Sequence, residues 1–195
     1  MIQPKIPPPT SIPSPTKNEE IANVISHGFG FFASLLAIPI LIQSGIQNGT
    51  AISIVGNFIF GFTACLLYLS STLYHAFPPG PLKQTFRLFD HCAIYLFIAG
   101  TYTPFALGVL SGIWGWSLIG LVWSLAFFGI CLKIVSVSRY AKLSLALYIG
   151  MGWTVLVAIR PLWIRMPKVG LLWVVTGGAA YTSGILFLGG AQIIF

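Results

Sequence analysis

Apolar runs long enough to cross a bilayer recur along this chain, and nothing constrains its fold more. Each is about 18 to 25 residues long, the length a helix needs to cover a hydrocarbon layer roughly 30 Å thick, and none alternates as a barrel strand would. With 56% hydrophobic and 7% charged residues and a mean hydropathy of +0.91, the chain is excluded from the water-soluble domains. The expected fold is all-α, a polytopic membrane helix bundle. Six spans are read, at residues 21–46, 51–76, 88–110, 113–134, 143–159 and 169–188.

The connections follow from punctuation and charge. Residues 1–18 carry Pro4, Pro7, Pro8, Pro9, Pro13 and Pro15 among Ser, Thr and Lys. Such a composition neither sustains a helix nor fills a core, so a disordered cytoplasmic tail is expected ahead of a transmembrane domain over 19–195. The tail lacks the apolar middle of a secretory signal, and Glu19 and Glu20 are expected to open the first helix. Gln47-Asn48-Gly49-Thr50 reads as a turn too close to the membrane for glycosylation, and Pro78-Pro79-Gly80-Pro81 as a second turn.

The formal net charge is +7, but the basic residues stand singly in short loops, so they read as topology signals and not as a nucleic-acid surface. One side collects Lys5, Lys17, Lys83, Arg87, Lys133, Arg139 and Lys142, the other Arg160, Arg165 and Lys168. That asymmetry predicts a cytoplasmic N-terminus, in a protein expected in the plasma membrane with membrane lipids as its partners. Cys65, Cys92 and Cys131 fall inside apolar runs without paired spacing and read as small buried residues.

Most of the polar chemistry lies between Leu66 and Thr103. Ser71 and His75 are four residues apart, about 40° on a helix, and share one face. Asp90 is expected to open the helix after the Pro-Gly-Pro turn, level with His75. An imidazole there is a ready metal ligand, with a hydroxyl one turn away to orient a water; it is equally a hydrogen-bonded structural residue. Asp90 either serves a cation, a water or a donor partner, or it forms a salt bridge to Arg87 or caps its helix.

Glu20, Asn23 and His27 follow i, i+3, i+7 spacing and align on one face of the first span, for packing or for a cavity. His91 adjoins Asp90 but points about 100° away. Thr101, Tyr102 and Thr103 either line a cavity or satisfy backbone groups freed by Pro104; the second reading is preferred.

Taken together, Glu20-x-x-Asn23-x-x-Ser26-His27-Gly28, Ser71-x-x-x-His75, Asp90-His91 leading into IAGTYTPF, and KLSLALYIGMGW over 142–153 resemble the haemolysin III-like proteins, relatives of the adiponectin and progestin receptors. The likeness runs from about Glu19 to Leu186. It implies seven membrane helices with the N-terminus inside and a zinc ion near the cytoplasmic leaflet. His75 matches a zinc ligand of that family, and Asp90 and Ser71 match the residues holding a zinc-bound water. The family's other two ligands form a His-x-x-x-His on the seventh helix, whereas this sequence has no histidine beyond His91. A shortened chain lacking that helix is therefore expected.

Three functions follow from the resemblance. The first is a membrane-perturbing (cytolytic) or channel-like protein acting through helix assembly. The second is a zinc-dependent lipid amide or ester hydrolase, ceramidase-like, in which Asp90 and Ser71 serve catalysis. The third is a lipid-responsive receptor or scaffold.

Overall fold

A computed structural model describes residues 15–47 and 50–193, with side chains described as far as residue 184. The Pro-rich segment 1–14 and the two turn residues 48–49 lie outside the described residues. Everything described is helical apart from short connections. The helices are α1 (Lys17–Gln47), α2 (Ala51–Ala76), α3 (Pro81–Phe105), α4 (Gly112–Val135), α5 (Ala141–Trp153), α6 (Ile159–Arg165) and α7 (Lys168–Ile193). A π turn over Ala106–Leu110 prolongs α3, and a 3-10 segment over Thr154–Ala158 joins α5 to α6.

Five segments are long and apolar enough to cross a membrane: α1, α2, α3 with its π turn, α4, and α5 through α6. The sixth, α7, has 26 residues, which at 1.5 Å per residue also exceeds the hydrocarbon thickness. The chain is an integral membrane protein, and successive segments run up and down.

Local chemistry sets the helix ends. α1 starts at Lys17, two residues before the expected acidic opening, because Thr16 and Glu19 form a capping box. The Glu19 amide donates to Thr16 Oγ1 at 3.3 Å, and the Thr16 amide donates to Glu19 Oε2 at 2.7 Å. Thr50 caps α2 by accepting from the Ser53 amide at 3.2 Å. α3 starts at Pro81, whose missing N–H costs nothing in a first turn. Asp90 therefore lies in the third turn of α3 and does not open the helix, which corrects the expectation. Ser111 (φ 46°) and Gly112 (φ 57°) turn the chain into α4 through left-handed backbone.

The fifth crossing departs most from expectation. It runs to Arg165, and Arg160 and Arg165 sit in α6 and not in a loop. Its helix loses regular pairing at Trp153–Ala158, and Tyr102 of α3 repairs the loss. The Tyr102 hydroxyl lies 2.7 Å from both Met151 O and Gly152 O as donor, and accepts from the Val155 amide at 3.1 Å. Tyr102 thus serves the break in α5, not the backbone freed by Pro104. The neighbouring Thr101 and Thr103 hydroxyls donate one turn back, to Ile98 O and Ala99 O.

The core runs along α3 with its π turn, α4, α5 and α6, where Tyr95, Ala99, Ala106, Leu110, Val122, Ala126, Met151 and Leu162 are buried. Glycine permits the closest approach: a Cβ on Gly129 of α4 would enter the Tyr95 ring. α1 and α2 lie outside this core, packed on each other and, through α2, on α3.

Candidate functional site

The Pro78–Gly80 turn returns the chain so that the first turn of α3 faces the last turn of α2, and α1 begins beside both. Three polar side chains meet there, one from each helix. Glu20 of α1 accepts from His75 of α2 through Oε2, at 2.6 Å from Nδ1, and from Lys83 of α3 through Oε1, at 2.8 Å from Nζ. All three are largely withdrawn from solvent, with side-chain exposures of 21% for Glu20, 14% for His75 and 17% for Lys83. A carboxylate can only accept, so His75 Nδ1 carries the proton.

Lys83 is held from three sides. Besides Glu20 it donates to the Phe77 carbonyl at 3.2 Å, one of the carbonyls left open at the end of α2. Its ammonium also lies 5.0 Å from the centre of the Tyr74 ring, a cation–π contact. Sequence reading missed Lys83, counting it among the topology charges. The available signal was its position two residues after Pro81, which puts it inside the helix and not in the loop.

The remaining residues divide into two groups. His27 stacks on His75, with ring centres 5.7 Å apart and planes within 9°, and it lies within electrostatic reach of both His75 and Asp90. Asn23 is half-buried on the same stripe of α1, between exposed Ile21 and Ile25; its backbone carbonyl accepts from Ser26 Oγ at 3.1 Å. Ser71 is buried one turn below His75. No hydrogen bond of its hydroxyl is found among the described residues. Asp90 is half-buried and makes neither a hydrogen bond nor an ion pair with His75 among the described residues.

His91 belongs to a different neighbourhood. Its Nδ1 donates to Arg87 O at 2.8 Å and stands 3.7 Å from Asp90 Oδ2, while its carbonyl accepts from the Tyr148 hydroxyl of α5 at 3.2 Å. The arginine suggested as Asp90's partner contributes only a backbone oxygen here, and that to His91.

Zinc needs about three protein ligands in tetrahedral array. Among the described residues no three His, Cys, Asp or Glu side chains are grouped to hold a metal ion. Both oxygens of Glu20 are already engaged, and His75 offers a single free nitrogen. Cys65, Cys92 and Cys131 are free thiols. The described residues do not fit a zinc shell, and no reaction step through zinc follows from them.

Comparison with known proteins agrees with the motif pattern. The family model described as "Haemolysin-III related" matches residues 16–191. The chain is 44% identical to Hemolysin-3 of Bacillus cereus over 169 residues, covering 87% of this chain and 77% of the relative. It is 44% identical to the Hemolysin-3 homolog of Bacillus subtilis (strain 168) over 172 residues, 88% of this chain and 81% of that one. The human monocyte to macrophage differentiation factor is 25% identical over 192 residues, with 92% and 75% covered. No solved structure matches the chain.

Proposed function

Since the chain belongs to the haemolysin-III related family, we propose that it perturbs membranes, as a cytolytic protein acting through helix assembly and not through bond chemistry. The observation that carries this reading is the likeness, over most of the chain, to two bacterial relatives named for haemolysis.

The architecture supplies a region suited to such rearrangement. α7 packs chiefly against α5, and its Val169, Leu172, Trp173 and Val175 stay exposed. An apolar cavity of about 290 Å³ separates it from α3, lined by Phe97, Thr101 and Tyr102 on one side and by Trp173, Gly177 and Tyr181 on the other. Among its described residues α7 is held mainly by α5, and such a helix can change neighbours without dismantling the core.

The orientation proposed is a cytoplasmic N-terminus in the plasma membrane. The end of the bundle where α1 begins carries Lys17, Lys83, Arg87, Lys133, Arg139 and Lys142, against Arg160, Arg165 and Lys168 at the other.

The purified chain, reconstituted into dye-loaded vesicles and added to red cells, is expected to release contents in proportion to its density in the membrane, with or without a metal chelator. Complete incorporation without release would sink the proposal. A second reading, hydrolysis of a lipid amide or ester, takes His75, Asp90 and Ser71 from the family resemblance alone; lipid turnover by the purified chain that is lost in His75→Ala would favour it.

A further inference from the structure

Lys133, near the end of α4, is a buried cation to which the chain brings no carboxylate. It is 4% exposed, and its ammonium donates to the Val137 carbonyl at 3.1 Å, which uses one of three N–H donors. The chain has three acidic side chains. Glu19 is tied into the cap of α1, Glu20 holds His75 and Lys83, and Asp90 approaches His91 at 3.7 Å. None forms an ion pair with Lys133 among the described residues. A buried charge is costly unless it is paired. We propose that the α3–α4–α5 wedge at this end of the bundle binds a phosphate-bearing anion, with Lys133 as its buried anchor and Arg87 as its outer clamp.

Two further observations support this. Arg87 of α3 lies within electrostatic reach of the Lys133 ammonium, as do His91 and Cys92. Arg87 is exposed, and its guanidinium makes no ion pair among the described residues. Two cations are thus brought together across α3 and α4, against the single carboxylate of Asp90. The wedge is also short of acceptors. The Tyr95 ring lies against Gly129, one turn before Lys133 on the same face of α4, and meets the Tyr148 ring of α5 at 4.5 Å. The Tyr95 hydroxyl and the hydroxyl of Ser144, one turn before Tyr148, are buried without a hydrogen-bond partner among the described residues.

A tetrahedral oxyanion suits these donors. It can accept from the remaining N–H groups of Lys133 and from the planar fork of Arg87 at once. Its place at the ends of α3 and α4 is the depth at which lipid headgroups lie, so the phosphate belongs either to an anionic lipid or to a free anion. The inference is independent of membrane perturbation.

The test is thermal melting of the full chain in a neutral detergent, titrated with short-chain phosphatidylglycerol, with phosphatidylcholine of the same chain length, or with inorganic phosphate. An anion that binds the folded chain raises the melting temperature saturably. Stabilisation by phosphatidylglycerol alone assigns a lipid headgroup, and stabilisation by inorganic phosphate assigns the oxyanion itself. Lys133→Met and Arg87→Gln should each weaken binding about tenfold, the order expected for loss of one charge-assisted hydrogen bond. Lys168→Gln, an exposed cation at the opposite end, should leave binding unchanged. The proposal is overturned if neither anion stabilises the chain, if phosphatidylcholine does so equally, or if Lys168→Gln weakens binding as much as the other two. Should Lys133→Met fail to fold, the exposed Arg87 decides, and binding unchanged in Arg87→Gln rejects the site.

Discussion

At the end where α1 begins, a carboxylate, an imidazole and an ammonium tie three helices. Between α3, α5 and α7, tyrosine hydroxyls reach backbone carbonyls instead, Tyr102 to the end of α5 and Tyr181 to Tyr148 O at 2.6 Å. Depth explains the difference. Charges can be held at a helix end, where water and open carbonyls lie close, but they cost several kcal/mol nearer the bilayer centre. Neutral phenols can satisfy a broken helix there, because each brings a ring for packing and a hydroxyl for the polar groups. The charged end is therefore open to salt and ligands, and the phenolic region is sensitive only to removal of its hydroxyls.

The largest expected effect breaks the phenolic side. Tyr102→Phe removes the acceptor of the Val155 amide and the hydroxyl shared by Met151 O and Gly152 O, beside the buried Met151. The loss should be about 1–3 kcal/mol, or roughly 2–4 °C in melting temperature for each kcal/mol, and it should not depend on ionic strength. A melting curve unchanged from wild type would mean that the break in α5 finds water or another donor. Tyr181→Phe should cost less, about 1 kcal/mol, and act locally by loosening α7 from α5. Hydrogen exchange is the measurement: faster exchange confined to α7 is expected, and uniform acceleration across the chain would contradict a one-edge attachment.

Much of this architecture was legible in the sequence because a bilayer leaves few options: apolar runs of sufficient length must be helices, and the Pro-Gly-Pro turn had to return α2 alongside α3. The stripe of Glu20, Asn23 and His27 was equally readable from its spacing. What stayed hidden depended on partners remote in sequence. Nothing local to Tyr102 shows that its hydroxyl is spent on residues about fifty positions later, and the nearby Pro104 offered a plausible but wrong client. Apolar content starts the third span only at Leu88 and so puts Asp90 at its opening, whereas Pro81 in the first turn begins α3 earlier. For the same reason Lys83 looks like a loop charge in the sequence although it lies in the first turn of α3.

The smallest effect sharpens the comparison most. Lys83→Met removes the ammonium while keeping the length of the side chain, so the difference reports charge more than packing. The pair is partly exposed, and ion pairs of this kind contribute about 0.2–1 kcal/mol, less than the loss expected for Tyr102→Phe. Its signature is the salt dependence. At about 1 M salt the screening length falls to roughly 3 Å, comparable to the 2.8 Å contact between Lys83 Nζ and Glu20 Oε1. Added salt should therefore lower the wild-type melting temperature toward that of Lys83→Met and leave the variant nearly unmoved, whereas Tyr102→Phe should run parallel to wild type at every salt concentration. If wild type and Lys83→Met instead respond alike, the ammonium contributes through its Phe77 and Tyr74 contacts and not through charge on Glu20. The two regions would then differ in composition but not in the physics that holds them.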